Sequence, residues 1–236
     1  MISLRPYQRE AVDSVYSYWA QGGGSPLIDL GTGLGKSLVA ATFCKELLEG
    51  WPSLRIGVVT HVKELIAQNA QEMMRLWPQA PIGINSAGLG RRDLRSKILF
   101  CGIQSVHRKA EALGNFDVLL VDEAHLIPRR ADTMYGSFIA ACRERVPDMR
   151  MVLLTASPFR TVSGRLDKGK NALADKITYS YGIAEGVRDG YLVPLLSKQG
   201  EHRNGLSGVG VQGGEFVAKD LQEAAMPNVR PAVQEL

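Results

Sequence analysis

Short, almost wholly apolar runs punctuate this chain at 26–30, 56–60, 98–101, 118–121 and 151–154, and between them apolar residues return every three or four positions. Runs of that length read as strands buried on both faces, and the three-to-four spacing reads as one face of an α-helix. The alternation predicts an α/β fold, a mostly parallel central sheet flanked by helices on both faces. The first helix is expected over 5–19: Pro6 suits its first turn, Val12, Val15, Tyr16 and Trp19 recur at helical spacing, and the glycines within 21–25 break it. Between the second and third runs, Leu65, Ile66, Ala70, Met73, Met74 and Trp77 form another apolar face, which Pro78 closes. Beyond Arg160 the alternation fades into a basic, glycine-containing stretch, then 179–196, then a glycine-rich segment at 200–214 that reads as a flexible connection. Residues 215–225 and 229–236 read as short helices behind the main domain, and no internal repeat or low-complexity tract is visible.

Composition bounds this picture. With 236 residues, 45% of them apolar, the chain can bury a substantial core as one large α/β domain or two small ones. No run approaches the roughly 18 uncharged apolar residues of a membrane span, and the N-terminal MISLRPYQRE is charged where a signal peptide is apolar. A soluble, cytoplasmic protein is expected. Cys44, Cys101 and Cys142 are odd in number and set in apolar runs, so they read as buried thiols rather than a disulfide framework. Four histidines and no CxxC argue against structural zinc. The net charge of +4, from 28 Lys and Arg against 24 Asp and Glu, permits a polyanionic partner without requiring one.

The chemistry concentrates at two of the strand ends. LIDLGTGLGKSLVAA, 27–41, has the form of strand, glycine-rich turn and helix, and it matches the phosphate-loop pattern G-x-x-x-x-G-K-[ST] except that Leu30 stands at the first glycine. Backbone N–H groups of Gly31, Thr32, Gly33, Leu34, Gly35, Lys36, Ser37 and Leu38 would surround the phosphates of ATP, with Lys36 adding a cation and Ser37 a hydroxyl for Mg²⁺. The bland alternative is a glycine turn that binds nothing. In FDVLLVDEAHLIP, 116–128, Asp122 and Glu123 follow an apolar run, where α/β sheets place ligands. Asp122 would hold Mg²⁺ and Glu123 would orient and deprotonate the water that attacks the γ-phosphate, unless both acids simply open a solvated helix.

GTGLGKS and Asp122-Glu123-Ala124-His125 resemble motifs I and II of the superfamily 2 helicases and translocases, a family in which an apolar residue often replaces the first glycine. LTASPFR, 154–160, is similar to motif III, and the resemblance implies that His125, Thr155 and Ser157 relay nucleotide state to the nucleic-acid site. LRPYQ, 4–8, resembles the adenine-recognition motif, with Gln8 on the base edge and Arg5 against its face. VVTHVKELIAQN, 58–69, and CGIQSV, 101–106, resemble motifs Ia and Ic, so Lys63, Gln104 and Ser105 are expected on a phosphodiester backbone. GRRDLRSK, 90–97, carries Arg91 and Arg92 and is either a basic nucleic-acid edge or a charged surface loop.

The ordered set, with AGLG and GYLVP, resembles the bacterial RadD-type branch and its phage and prophage relatives over about 2–196. That resemblance implies a RecA-like phosphate-loop NTPase lobe at 1–196, with 197–236 the start of a linker to a second RecA-like lobe. It also implies a bacterial or phage-encoded, nucleoid-associated DNA-repair enzyme using ATP and Mg²⁺, with DNA favoured over RNA as partner. Motifs IV to VI, the arginine finger and the zinc-ligand cysteines of the RadD second half are not found after Pro194. The expectation is therefore the first motor lobe of a helicase, weakly active by itself unless Arg129, Arg130 or Arg160 completes the site. Two alternatives stand beside it: a phosphate-loop kinase or transferase, and an ATP-binding nucleic-acid module without motor activity.

Overall fold

The computed structural model describes residues 3–128, 130, 132–160, 164–169, 172–194, 211–212, 215–216, 219–220 and 222. Helix α1 (Pro6–Ala20) leads into β1 (Pro26–Leu30), α2 (Lys36–Gly50), β2 (Ile56–Thr60) and α3 (Lys63–Leu76). There follow β3 (Ile82–Ser86), β4 (Arg91–Arg92), β5 (Ile98–Gly102), α4 (Ile103–Val106), α5 (Ala110–Leu113) and β6 (Val118–Val121). Helix α6 (Met134–Arg145), β7 (Arg150–Thr155), the ribbon β8 (Phe159–Arg160) and β9 (Gly164–Arg165), β10 (Lys176–Tyr181) and α7 (Ile183–Arg188) complete the lobe. A separate antiparallel pair joins β11 (Val211–Gln212) to β12 (Glu215–Phe216).

The main sheet has eight strands in the order β10-β1-β7-β6-β2-β5-β3-β4, all pairs parallel except β3 with β4. Side chains divide by strand parity between two cores. Ile28, Val58, Phe100, Leu120, Val152 and Leu154 face α1, α2 and α3. Leu27, Val59, Leu99, Leu119, Leu153 and Cys101 face α4, α5 and α6. Because both faces are covered, β2, β5 and β6 are buried at every position, which is why the sequence shows them as continuous apolar runs.

All five expected strands form, and the first helix runs from Pro6 as its proline requires. Three strands of the main sheet carry no such run. β3 (IGINS) and β10 (KITYSY) are only partly buried and β4 is two exposed arginines, so none reads as a run buried on both faces. The apolar face expected on α3 is corrected at one position: Met74 is exposed, whereas Asn69 is buried beside Ile66, Ala70 and Met73. The helix expected at 215–225 is corrected at its start, where Glu215–Phe216 pairs with Val211–Gln212 as a strand, and helical backbone is found at 219–220 and 222 among the described residues; of the connection expected at 200–214 only 211–212 are described. The expected helix at 229–236 lies outside the described residues, as does most of 197–236.

All three cysteines are free and buried, as their apolar surroundings predict. No helix among the described residues is long and apolar enough to cross a membrane. Phe138 fills the second core with no exposure. Phe138→Ala is expected to cost about 3–5 kcal/mol of stability, measured as a lowered midpoint in urea denaturation with an unchanged slope.

Candidate nucleotide site

From β1 the chain passes over two positions of the sheet to β2, and β6 and β7 later fill the gap, so β1, β7 and β6 lie side by side. Their carboxyl ends therefore present 31–37, 155–160 and 122–125 along one edge, where open α/β sheets bind ligands.

The glycine-rich turn is tied to the sheet through Gly31 N, which donates to Tyr181 O of β10 at 3.0 Å. Gly33 and Gly35 adopt φ of 83° and 80°, backbone that costs other residues about 1–2 kcal/mol. Helix α2 begins at Lys36 with no side chain capping it among the described residues, an arrangement that suits an anion at its first N–H groups. Lys36 Nζ lies 3.7 Å from Glu123 Oε1 and 3.5 Å from Leu30 O.

Glu123 follows β6 with φ 53° and ψ 50°, and it is the one non-glycine residue of positive φ among the described residues. Such a conformation costs on the order of 1–3 kcal/mol and persists where surrounding contacts fix it. Here Oε1 faces Lys36 and Oε2 lies 3.2 Å from His125 Nδ1. That same ring nitrogen is 2.9 Å from Thr155 Oγ1, and Ser157 N donates to Thr155 Oγ1 at 3.0 Å. Arg160 donates to the carbonyl oxygens of His125 and Ala124 and so holds the outside of the turn.

Asp122 and Ser37 are joined by a residue whose role the sequence did not reveal. Ser37 Oγ is 2.6 Å from Asn69 Oδ1, and Asn69 Nδ2 is 2.8 Å from Asp122 Oδ2. Its signal was a polar residue in step with the buried positions Ile66, Ala70 and Met73, since a buried amide needs partners. Among the described residues no group of three or more His, Cys, Asp or Glu could hold a metal. Mg²⁺ needs only one or two protein oxygens when phosphates and water supply the rest, so Ser37 and Asp122 fit an ion that arrives with a triphosphate.

At the other end, Tyr7 OH and Gln8 Nε2 each donate to Leu34 O at 3.0 Å, and Gln8 Oε1 accepts from Arg5 N at 3.0 Å. Beyond these two bonds Gln8 has a second amide hydrogen and a second lone-pair direction. Tyr7 stacks on Tyr181 at 4.4 Å, and the Arg5 guanidinium lies over Tyr191 at 4.7 Å. A cavity of about 530 Å³ runs from Arg5 and Gln8 past 32–38 to Asp122 and Glu123. Its second wall, also unforeseen, is the stripe Leu65, Gln68, Glu72 and Arg75 of α3.

Lys63, Gln104 and Ser105 meet in a second cavity of about 450 Å³, with His61 and 86–88. Gln104 Nε2 donates to His61 O at 2.9 Å, Ser105 Oγ accepts from Ala87 N at 2.7 Å, and His61 Nδ1 is buried with no hydrogen-bond partner among the described residues. Arg91 and Arg92 stand apart from this cavity, exposed on the edge strand β4, with Arg91 3.1 Å from Asp93. The backbone N–H of Ile84 and then Arg91 hold the Asp93 carboxyl below the usual carboxylate range.

A family profile described as type III restriction enzyme, res subunit, matches residues 1–160. The chain is 23% identical over 200 residues to a putative ATP-dependent helicase, IRC3, of Saccharomyces cerevisiae, covering 80% of this chain and 28% of that protein. It therefore spans little more than a quarter of that relative's length. In fold it is similar to the type ISP restriction-modification enzyme LlaGI solved with a DNA substrate mimic (TM-score 0.59, 14% identity, 80% of this chain and 21% of that one). The UvsW helicase of bacteriophage T4 is similar at TM-score 0.55 and 22% identity, over 75% of this chain and 60% of that one.

A Cβ at Gly35 would sit 2.5 Å from Gln8 Nε2. Gly35→Ala should cost about 1–2 kcal/mol from the backbone alone and more from that collision. In a Gln8→Ala background only the backbone cost should remain, so a double-mutant cycle by urea denaturation is expected to give a non-zero coupling.

Proposed function

The chain belongs to the type III restriction enzyme res-subunit family, and on that premise we propose that it is the ATP-binding first motor lobe of a superfamily 2 helicase or translocase acting on DNA. The observation that carries this reading is the pairing of Lys36 with Glu123 at 3.7 Å across a cavity whose floor also holds Ser37 and Asp122.

In this reading 31–38 surrounds the phosphates and Lys36 leaves Glu123 to pair with them, a charge-assisted contact. Glu123, freed from Lys36 but still facing His125, orients and deprotonates the attacking water. Ser37 and Asp122 would hold the Mg²⁺ that arrives with the nucleotide, and the ion would supply charge neutralisation at the phosphate oxygens. Movement of Glu123 reaches Thr155 and Ser157 through His125, and this chain of contacts is what a kinase reading leaves unused. Arg5 and Gln8 select adenine.

Nucleic acid lies on Lys63, Gln104 and Ser105, with Arg91 and Arg92 at the rim, and these groups contact phosphates rather than base edges. A second RecA-like lobe supplies the arginine that completes the transition state; of the arginines singled out in this chain, Arg160 is engaged with the 124–125 carbonyls and Arg130 lies 2.5 Å from Asp132. Arg129 lies outside the described residues. The motif set over 2–196 supports a motor of the RadD type that acts in DNA repair.

Lys36→Ala should weaken Mg-ATP binding by about 1.5–3 kcal/mol, read by titration with a fluorescent ATP analogue; unchanged affinity would sink the assignment. Binding to duplex DNA should fall with salt at a log–log slope of roughly −0.9 per phosphate neutralised, and Lys63→Ala should flatten that slope by about one phosphate. Residues 1–236 should bind Mg-ATP yet release phosphate slowly, since an arginine finger supplies about 10³–10⁵ in rate. Fast DNA-stimulated release that Glu123→Gln abolishes would show that the site is complete without a second lobe.

A further inference from the structure

Asn69 is 5% exposed on the core face of α3, where a carboxamide is costly unless both of its ends are paired. Both ends are paired, and with residues of two other elements. The Asp122 carboxylate can only accept, so the Asn69 group 2.8 Å from it is the NH₂ donor, and Oδ1 is left to accept from the Ser37 hydroxyl at 2.6 Å. The amide orientation is fixed by its partners rather than by choice. Two consequences follow for the oxygens. Ser37 spends its hydrogen on Asn69, which turns its lone pairs away from Asn69 and leaves them for a cation. Asp122 receives one donor on each oxygen, Asn69 on Oδ2 and the Glu123 N–H on Oδ1 at 3.0 Å, so its plane is fixed while lone pairs on both oxygens stay free.

We propose that Asn69 is a positioning residue that orients Ser37 and Asp122 for the Mg²⁺ of the bound nucleotide, so that α3 belongs to the metal site although it supplies no ligand. The proposal rests on the nucleotide-binding reading above. Partners of metal ligands typically contribute 10–100-fold to metal affinity.

The test compares wild type, Asn69→Ala and Asn69→Ser in titrations with a fluorescent ATP analogue, first in EDTA and then across Mg²⁺ concentrations, with thermal denaturation in EDTA as a check on folding. Serine keeps a polar group in the buried position but is too short to span Ser37 and Asp122. In EDTA all three should bind the nucleotide within a few-fold of one another, because the phosphate loop and Lys36 are intact. The Mg²⁺ concentration for half-maximal enhancement should rise about 10–100-fold in both variants. Variants that keep the wild-type Mg²⁺ dependence would overturn the inference alone. Variants that lose nucleotide binding equally in EDTA and Mg²⁺, or that no longer unfold cooperatively, would assign Asn69 to the fold and overturn it as well. A wild-type chain that binds no nucleotide in either condition would remove the reading beneath it, and that outcome is distinct from the others.

Discussion

The cleft depends on the insertion of β7 between β1 and β6. Parallel strands are joined by crossovers, so residues far apart in the chain become neighbours only through strand order. With β7 in the middle, Thr155 stands between the turn after β1 and the turn after β6, and His125 can reach it at 2.9 Å. The hydrophobic alternation makes that order stable: successive residues of each central strand enter opposite cores, and both cores are sealed by helices. The chemistry at the strand ends is borrowed from this packing.

Inside the cleft the polar groups satisfy one another. Lys36 faces Glu123, Asn69 joins Ser37 to Asp122, and Gln8 bridges Arg5 and Leu34. All but the Arg5–Gln8 bond, which caps α1, join different turns or helices. A ligand that enters must share these bonds or replace them, which couples its presence to the relative seating of α1, α2 and α3. The positive φ of Glu123 adds local strain, which its contacts with Lys36 and His125 accompany, whereas Gly33 and Gly35 adopt positive φ without that cost. Helix α3 stands on both sides of the matter: it begins at Lys63 in the second cavity and buries Asn69 against the first.

Much of the fold was legible because its strands are buried on both faces. The five apolar runs, the helix from Pro6, the turn 31–37 and the acids after β6 all appear in the sequence at the places where the structure has them. What escaped was half-buried or solvated. β3, β4 and β10 carry Asn, Ser, Arg, Lys and Tyr because one side or edge meets water, and that composition is shared with loops. Spacing alone puts Met74 on the buried face, whereas the packing of α3 turns Asn69 inward and leaves Met74 exposed.

The sequence by itself determined the class of fold, the glycine-rich turn after β1, the acidic turn after β6 and the residue types they carry, because periodicity and glycine placement are local properties of the chain. Only the tertiary structure decided the strand order, the 3.7 Å approach of Lys36 to Glu123, the stacking of Tyr7 on Tyr181, and the bridge from Ser37 through Asn69 to Asp122. Those contacts join residues up to 174 positions apart, from Tyr7 to Tyr181, and no local pattern encodes a distance across a sheet. They arise when burial of both faces fixes which strands are neighbours and which way each helix turns.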